Sequence, residues 1–348
     1  MPRPFAEQTT FGVGGRPLGF AEPRTIDELR ACLDEAASSD DQVFILGAGS
    51  NILAADGELP LRVIKPRLTG ITCRGAFLHA ASGEAWDDVV AFGVAHGLQG
   101  IECLSGIPGT VGAAPVQNIG AYGQQLCDVV ETIEVVDRDS GSSDAWFGTR
   151  CEFGYRSSFF KRHPSRFIIT GVTLRLAPHA APCRTYNDIS SVTSVDSTLS
   201  DVRTAVINAR RSKGMLMGQT RSAGSFFVNP VVDAEDADRL RSLFPALRHH
   251  PELPGGRSVK LPAAALIEAS GFMRGYRDGS VGLSDRHALS IVTYPGARAS
   301  DVIRLAENIQ DGVVRACGVL LEPEVRLIGF PPGTLRIRGA VADSASTR

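Results

Sequence analysis

The chain has 348 residues, of which 43% are hydrophobic and 21% charged, and its formal net charge is −2. At about 150 residues per domain, this length predicts a soluble globular protein of roughly two to three domains. The high apolar content excludes a disordered chain, and the balanced charge offers no basic surface to nucleic acid or to an anionic membrane.

Cysteine usage and apolar runs indicate the compartment. The seven cysteines are scattered singly with no C-x-x-C pair, which predicts reduced thiols and no structural metal site. No stretch approaches the roughly 18 apolar residues of a membrane span, and residues 1–15 contain no apolar run of signal-peptide length. These patterns predict a cytoplasmic protein that binds neither membrane nor nucleic acid.

Helices and strands alternate along the chain. Thr25 and Glu28 form a capping-box pattern, Gly97 and Gly318 stand where helices should end, and Ser300 is the expected N-cap of the last helix. In chain order, we predict a helix at 26–38, a strand at 43–46, a helix at 85–96, a turn-rich tract at 104–123, strands at 132–136 and 167–176, helices at 201–211, 234–243 and 262–269, a strand at 288–294, a helix at 300–316, a strand at 319–328 and a fraying tail from 338 onward.

A glycine turn follows the first predicted strand. It consists of Gly47, Ala48, Gly49, Ser50 and Asn51. Glycine lets the backbone approach phosphate oxygens, and successive N–H groups of such a turn can wrap a pyrophosphate, with the Ser and Asn side chains as further donors. The dinucleotide pattern G-x-G-x-x-G is not met, because the third glycine is missing and no helix pattern follows. A plain turn between two strands is the alternative interpretation.

The tract from 106 to 123 is rich in glycine and low in charge. Long loops of this kind are uncommon inside compact domains unless they are functional. Small residues let a ligand contact the backbone, and Gln117 and Asn118 offer amide donors and acceptors to the edge of a heterocycle. The tract therefore predicts a binding loop, with a loop that only fills space as the alternative.

In this order and spacing, the two tracts resemble the flavin-binding segments of the UDP-N-acetylenolpyruvoylglucosamine reductase family. The resemblance covers nearly the whole chain and includes TFG at 10–12, GEAW at 83–86, FGYRSSFFK at 153–161, AGSFFVNP at 223–230, KLPAA at 260–264 and LEPEVR at 321–326. It implies an α+β fold, with a two-part FAD-binding module of the PCMH or vanillyl-alcohol-oxidase type and a C-terminal α+β substrate-binding domain. The implied regions are 1–66, to which 325–348 returns, 67–213 and 214–324.

The family's reaction implies roles for three residues. Noncovalently bound FAD accepts hydride from NADPH and passes it to the methylene carbon of an enolpyruvyl ether, so that an enolate develops beside the carboxylate. Arg156 would stabilise this charge, Glu324 in protonated form would donate a hydrogen bond to the same group, and Ser225 would protonate the carbanionic carbon. Taken singly, each has a plain interpretation as a stacked Arg, a solvated Glu and a turn Ser.

The resemblance also implies contacts to cofactor and substrate. The FAD contacts would be Gly47, Ala48, Gly49, Ser50, Asn51, Gly109, Thr110, Gly112, Ala113, Ala114, Gln117, Asn118, Gly120, Ala121, Arg210 and Arg326. The substrate contacts would be Tyr122, Tyr155, Tyr186, Lys213 and Asn229, with the UDP-sugar enolpyruvate and NADPH using one shared site. For Arg210 and Lys213 a solvated helix face is the alternative.

Some positions depart from the family pattern. Thr9 replaces Asn, Val228 a frequent Lys and Ala265 a frequent Trp, and 214–222 lacks a Leu-Pro-Asp-Pro run. An alternative is therefore a paralogue that reduces another enolpyruvyl ether. More distant alternatives are an oxidase of the same flavin superfamily, which often tethers flavin through a His or Cys that 104–123 lacks, and a flavin-binding protein with an inactive site. We expect a monomer.

Overall fold

In the computed structural model, which describes residues 2–244, 247 and 257–337, the chain passes repeatedly between two units. Unit 1 comprises Arg16–Ser50, Glu58–Gln219 and the N-terminal residues up to Pro4. Unit 2 comprises Phe5–Gly15, Asn51–Gly57 and the described residues from Thr220 onward. Each unit therefore takes in segments that are far apart in the sequence.

The six predicted helices begin and end close to their predicted positions, whereas the four-residue helices α1, α4 and α5 were not predicted. They are α1 Phe5–Gln8, α2 Ile26–Ser38, α3 Trp86–Ala95, α4 Phe159–Arg162, α5 Asn187–Ser190, α6 Leu199–Ser212, α7 Ala234–Leu243, α8 Ala263–Ala269 and α9 Ala299–Cys317. Local capping explains two of the starts: the Thr25 hydroxyl accepts from the Glu28 N–H, and Thr198 and Asp201 form a capping box on α6. Gly318 ends α9 in a left-handed conformation, as predicted.

The strands are more numerous than predicted, and β10 extends beyond the predicted 132–136 at both ends. They are β1 Arg16–Ala21, β2 Gln42–Ile45, β3 Ile52–Ala54, β4 Glu58–Ile64, β5 Ile71–Arg74, β6 Phe77–Ala81, β7 Leu98–Gln99, β8 Gly120–Ala121, β9 Gln124–Gln125, β10 Val130–Asp137, β11 Ser143–Phe147, β12 Phe167–Arg175, β13 Ala177–Pro178, β14 Val231–Asp233, β15 Ser258–Lys260, β16 Arg277–Asp278, β17 Val281–Leu283, β18 Ile291–Thr293 and β19 Arg326–Ile328. A short 3₁₀ turn at Glu102–Leu104 precedes the glycine-rich tract, and another at Val111–Ala113 interrupts it.

Unit 1 contains a small parallel sheet and a larger antiparallel one. The parallel sheet has the order β1-β4-β2, and the antiparallel sheet has the order β11-β10-β12-β6-β5. Trp86 of α3 is buried with the inward-facing side chains of the antiparallel sheet, whereas Leu29 and Leu33 of α2 pack with Ile64 of β4. The glycine turn begins directly beyond the carboxyl end of β2, which is where ligands bind on parallel sheets.

Unit 2 is built around α9. Its pairings are β14-β15, the antiparallel sheet β16-β17-β18 and the parallel pair β19-β3. The buried core of this unit includes Phe11, Val13 and Leu53 from the N-terminal segments. The combination of helices with parallel and antiparallel sheets confirms the α+β fold.

Three predictions about the last third are wrong in part. The strand predicted at 319–328 is regular only over Arg326–Ile328, because Pro323 has no N–H to continue a ladder and forms only an isolated bridge with Phe227. Ser300 is not an N-cap, since α9 begins at Ala299 and Arg298 occupies the capping position. The strand predicted at 288–294 shortens to Ile291–Thr293.

The division into three regions stays a prediction. The predicted boundary at 213–214 lies six residues before the change of unit at Gln219, and the boundary at 66–67 lies inside unit 1. The tail from 338 onward lies outside the described residues. Within the described residues, no helix combines the length and the apolar character needed to cross a membrane.

Candidate functional site

The two glycine-rich tracts meet in unit 1. A Cβ at Gly47 would lie 2.9 Å from Thr110 Oγ1 and 3.2 Å from Ala113 Cβ, so the tracts can pack this closely only with glycine at position 47. The Ser50 hydroxyl donates to the Pro108 carbonyl at 3.1 Å, which links the same tracts a second time. Segments about 60 residues apart in the sequence therefore form one cradle.

This cradle fits the FAD that the sequence predicts. Its backbone takes positive-φ conformations that favour glycine at Gly49 (φ +69°) and Gly109 (φ +145°), and a Cβ at Gly112 would lie 2.7 Å from Ser82 Cβ. A turn of this kind at the end of a parallel strand offers backbone N–H groups to an anion. Ala48 and Ala114 continue the two tracts with small residues. The donor set thus suits a pyrophosphate.

Asn118 uses both ends of its amide within the protein. Its Nδ2 donates to Cys127 Sγ and to the Gly154 carbonyl, and its Oδ1 accepts from the Cys127 N–H at 3.0 Å. The side chain is buried, and its backbone φ of +46° is left-handed. Asn118 therefore secures the turn that leads into Arg156, while its predicted contact with the flavin stays a prediction.

Arg156 is hydrogen-bonded to the glycine-rich tract 106–123, which is called the flavin loop from here on. Its Nη2 donates to the Gly120 carbonyl at 3.1 Å, its guanidinium lies 5.7 Å from the Tyr155 ring centre, and its carbonyl accepts from Lys161 Nζ at 2.8 Å. Its backbone is left-handed (φ +51°), a conformation that non-glycine residues adopt at a cost. The flavin loop and this strained turn fix the position of the guanidinium together.

Two further cations, Arg210 and Lys213, lie at the carboxyl-terminal end of α6. Arg210 Nε donates to the Gly106 carbonyl at 3.0 Å, and its charge interacts with those of Asp87 and Arg156. Burial, together with the like charge of Arg156, lowers the pKa of Arg210. Positive charge is thereby concentrated around the loop, as binding of phosphorylated ligands requires.

Lys213, at the end of α6, connects to the predicted substrate tyrosines. Its Nζ lies 2.7 Å from Asp188 Oδ2 and 5.4 Å from the centre of the Tyr122 ring, and that ring meets the Tyr186 ring edge-on at 5.5 Å. Burial opposes the positive charge, but the hydrogen bond and the negative charge of Asp188 act together against it, and the pKa of Lys213 is raised. The half-exposed Tyr186 therefore lies against Tyr122, whose ring is also approached by the protonated Lys213.

Unit 2 brings Ser225 and Glu324 onto neighbouring segments. The Glu324 N–H donates to the Phe226 carbonyl at 2.8 Å, and the Phe226 N–H donates to the Leu289 carbonyl at 2.9 Å. Phe226 and Phe227 are fully buried, which anchors the segment that carries the half-buried Ser225. The Ser225 hydroxyl and the Glu324 carboxyl, 99 positions apart in the sequence, therefore belong to segments whose backbones are hydrogen-bonded to each other.

The remaining predicted contacts of unit 2 have structural partners. Asn51 Nδ2 donates to the Glu324 carbonyl at 3.2 Å, and the Arg326 N–H donates to the Asn51 carbonyl at the start of the β19–β3 pair. Asn229 Oδ1 accepts from the Ala263 N–H at the start of α8. The three residues therefore support the Glu324 segment and α8, whatever ligands they also contact.

Sequence reasoning missed the carboxylates that hold the site. Asp87 binds Arg203 through both oxygens, Glu102 is buried and accepts from the Gly100 and Cys183 N–H groups, and Asp188 pairs with Lys213. Only Asp87 carries a signal in the sequence, and its position in the first turn of α3 indicates ordinary helix-dipole stabilisation. Their partners lie too far along the chain to be inferred.

Comparisons with known proteins agree with this geometry. Residues 216–328 match the family described as "UDP-N-acetylenolpyruvoylglucosamine reductase, C-terminal domain", and residues 17–142 match the family described as "FAD binding domain". The chain is 40% identical over 328 residues to the UDP-N-acetylenolpyruvoylglucosamine reductase of Pseudomonas aeruginosa, with 91% of this chain and 95% of that one covered. It is 36% identical over 346 residues to the protein of that name from Thermobifida fusca, with 94% and 97% covered.

A solved structure is also similar. The crystal structure of the UDP-N-acetylenolpyruvylglucosamine reductase from Thermus caldophilus matches with a TM-score of 0.65 at 26% identity, covering 94% of this chain and 97% of that chain.

Proposed function

The chain belongs to the UDP-N-acetylenolpyruvoylglucosamine reductase family, and from that premise we propose which of its residues carry out the reaction. It is an FAD-dependent oxidoreductase that reduces the enolpyruvyl group of UDP-N-acetylglucosamine enolpyruvate at the expense of NADPH, giving UDP-N-acetylmuramate for peptidoglycan. The glycine cradle would hold the FAD, which in its reduced form would supply hydride for the methylene carbon of the substrate.

Arg156 stabilises the negative charge that this transfer produces. The charge develops as an enolate conjugated with the substrate carboxylate, and a fixed guanidinium binds such a group through two parallel hydrogen bonds. The support for this role is the fixed position of Arg156 on the flavin loop through the Gly120 carbonyl. An Arg already held in place loses little conformational entropy when the substrate binds.

Ser225 donates its proton to the carbon next to the methylene carbon. Its Oγ–H bond breaks as a C–H bond forms at that carbon, and the enolate collapses to a saturated ether. Glu324 in protonated form donates a hydrogen bond to the substrate carboxylate. The observation that carries these roles is the hydrogen bond between the Glu324 and Phe226 backbones, which places the two groups on adjacent segments.

Tyr122, Tyr155, Tyr186 and Lys213 bind the diphosphate-bearing ligands in this proposal. The positive charge of Lys213 and its contacts with Tyr122 and Asp188 support binding of a phosphate beside the loop. Substrate and NADPH would use this group in turn, since both carry a diphosphate. The protein would act as a monomer in the cytoplasm.

The Ser225→Ala variant tests the proposal by separating the two half-reactions. In anaerobic stopped-flow measurements of flavin absorbance, we expect NADPH to bleach the variant at nearly the wild-type rate. Recovery of absorbance with UDP-N-acetylglucosamine enolpyruvate should slow by about 10²-fold or more, the usual contribution of a positioned proton donor.

Ser222→Ala is the matched control, because Ser222 is a buried serine on the same segment whose hydroxyl lies 3.0 Å from Thr220 Oγ1. It should leave both half-reactions close to wild type. Equal losses in both half-reactions of Ser225→Ala would refute the assignment. A wild-type protein that bleaches with NADPH but does not recover with this substrate would act on another enolpyruvyl ether.

A further inference from the structure

Gly106, the first residue of the long glycine-rich tract, is held at both of its peptide groups. Its N–H donates to Asp87 Oδ1 at 2.6 Å, and its carbonyl accepts from Arg210 Nε at 3.0 Å. Its backbone is left-handed (φ +68°), and a Cβ there would lie 2.8 Å from both Ile207 Cδ1 and Leu216 Cδ2. The entry to the flavin loop thus has a single position relative to α6.

Asp87 is itself fixed by a second arginine. Arg203 Nη1 lies 2.6 Å from Asp87 Oδ1, and Arg203 Nη2 lies 2.8 Å from Asp87 Oδ2, which is the bidentate geometry of strong arginine–carboxylate pairs. The two side chains come from α3 and α6, 116 positions apart, and are both partly buried. Burial opposes ionisation, but the bonds from Arg203 and Gly106 outweigh it and lower the pKa of Asp87.

Three side chains on one face of α6 show which groups the Asp87–Arg203 pair positions. Arg203, Ile207 and Arg210 follow one another at spacings of four and three, so they lie on one face of the helix. All three contact Gly106 or the carboxylate that binds it. Displacing α6 from α3 would therefore move Gly106 and Arg210 together.

We propose that the Asp87–Arg203 pair is a positioning element of the FAD site, which sets cofactor affinity by fixing Gly106 and Arg210. The proposal rests on the FAD site described above and extends it to two residues that need not touch the cofactor. Because the pair acts through geometry, loss of either partner has the same consequence, although the two losses change the local charge in opposite directions.

The test compares Asp87→Asn with Arg203→Met in the full-length holoenzyme. FAD release on serial dilution is followed by the rise in flavin fluorescence, which gives the FAD dissociation constant without an activity assay. We expect both variants to raise this constant by about tenfold. Asparagine keeps an acceptor for the Gly106 N–H, so a folded protein is expected, and thermal unfolding at saturating FAD checks this.

If the two residues acted only through their charges, the FAD dissociation constant would shift in opposite directions in the two variants. Removing the negative charge of Asp87 would tighten binding of the anionic pyrophosphate, whereas removing the positive charge of Arg203 would weaken it. Opposite shifts in the two variants would overturn the positioning role, and so would unchanged affinity in both. A wild-type protein without FAD would instead contradict the proposed function.

Asp137 and Arg166 provide a matched control pair in the same unit. Arg166 donates twice to Asp137 Oδ2, at 3.1 and 2.8 Å, next to the β10–β11 turn. Asp137→Asn and Arg166→Met remove an ion pair that also has two arginine–carboxylate hydrogen bonds, here to one carboxylate oxygen, without touching Gly106. They should leave the FAD dissociation constant within twofold of wild type, and an equal weakening there would also overturn the proposal.

Discussion

Single residues of the site have roles that depend on partners distant in the chain. Asn118 offers an amide suited to a heterocycle, yet it binds the Cys127 N–H and the Gly154 carbonyl. Asp87 has the position of a helix-dipole residue, yet it holds Gly106 and Arg203. The residue type limits the possible chemistry, and the neighbour that the fold supplies selects one use of it.

Glu324 gives a prediction at this scale. If it acts as a protonated donor, Glu324→Gln keeps a donor of similar size, whereas Glu324→Ala removes it. We expect turnover to fall by about tenfold in Glu324→Gln and by a further tenfold or more in Glu324→Ala, since one preorganised donor contributes about 10²–10³ in rate.

The measurement is kcat for the enolpyruvyl substrate together with the FAD content of each purified variant. FAD content should remain at the wild-type level, because Glu324 belongs to the substrate side of the proposed reaction. Loss of flavin from Glu324→Gln would instead identify Glu324 as a structural support of the cofactor site.

At the scale of elements, local signals located the helices well but misplaced the start of α9. Ser300 has the residue type of an N-cap, but Asp56 performs that function from 243 positions away. Its two carboxylate oxygens accept from the Ala299 and Ser300 N–H groups at 2.9 and 3.0 Å. Burial opposes the charge, but these bonds outweigh it and lower the pKa of Asp56.

Asp56→Ala should therefore lower the free energy of unfolding by about 1 kcal/mol at neutral pH, the usual effect of losing a cap. A carboxyl with a lowered pKa stabilises the fold above its unfolded pKa of about 3.9, and this contribution is lost as the pH falls through the folded value. Urea titrations at pH 7 and pH 3 should show the difference between wild type and variant shrink at the lower pH. Ser300→Ala should change stability by less than half as much; the reverse order would restore Ser300 as the cap.

For the whole molecule, the distribution of the chain between units has consequences for folding. Phe11, Val13 and Leu53 belong to the buried core of unit 2, and Thr293 Oγ1 donates to the Phe11 carbonyl at 2.5 Å. β3 pairs in parallel with β19, again joining the two ends of the sequence. The C-terminal residues of unit 2 therefore do not contain their whole core.

A fragment of residues 216–348 should consequently fail to fold cooperatively. It lacks three buried apolar side chains and the partner strand of β19, and burying such side chains stabilises by about 1.5–3 kcal/mol each. Circular dichroism during urea unfolding would show no sigmoidal transition, in contrast to the full-length chain. A cooperative transition in the fragment would mean that α9 and its sheets suffice as a core.

The sequence by itself determined the α+β class, the positions of the long helices, the two glycine-rich tracts and the family, because these depend on periodicity, caps and motifs within short windows. Tertiary structure alone decided that Gly47 packs on Thr110, that Asp56 caps α9, and that Asp87 with Arg203 holds Gly106. The physical reason is that a hydrogen bond or a close contact needs a partner within a few ångströms. Folding brings such partners from up to 282 positions away, as for Thr293 and Phe11, beyond the reach of any local pattern.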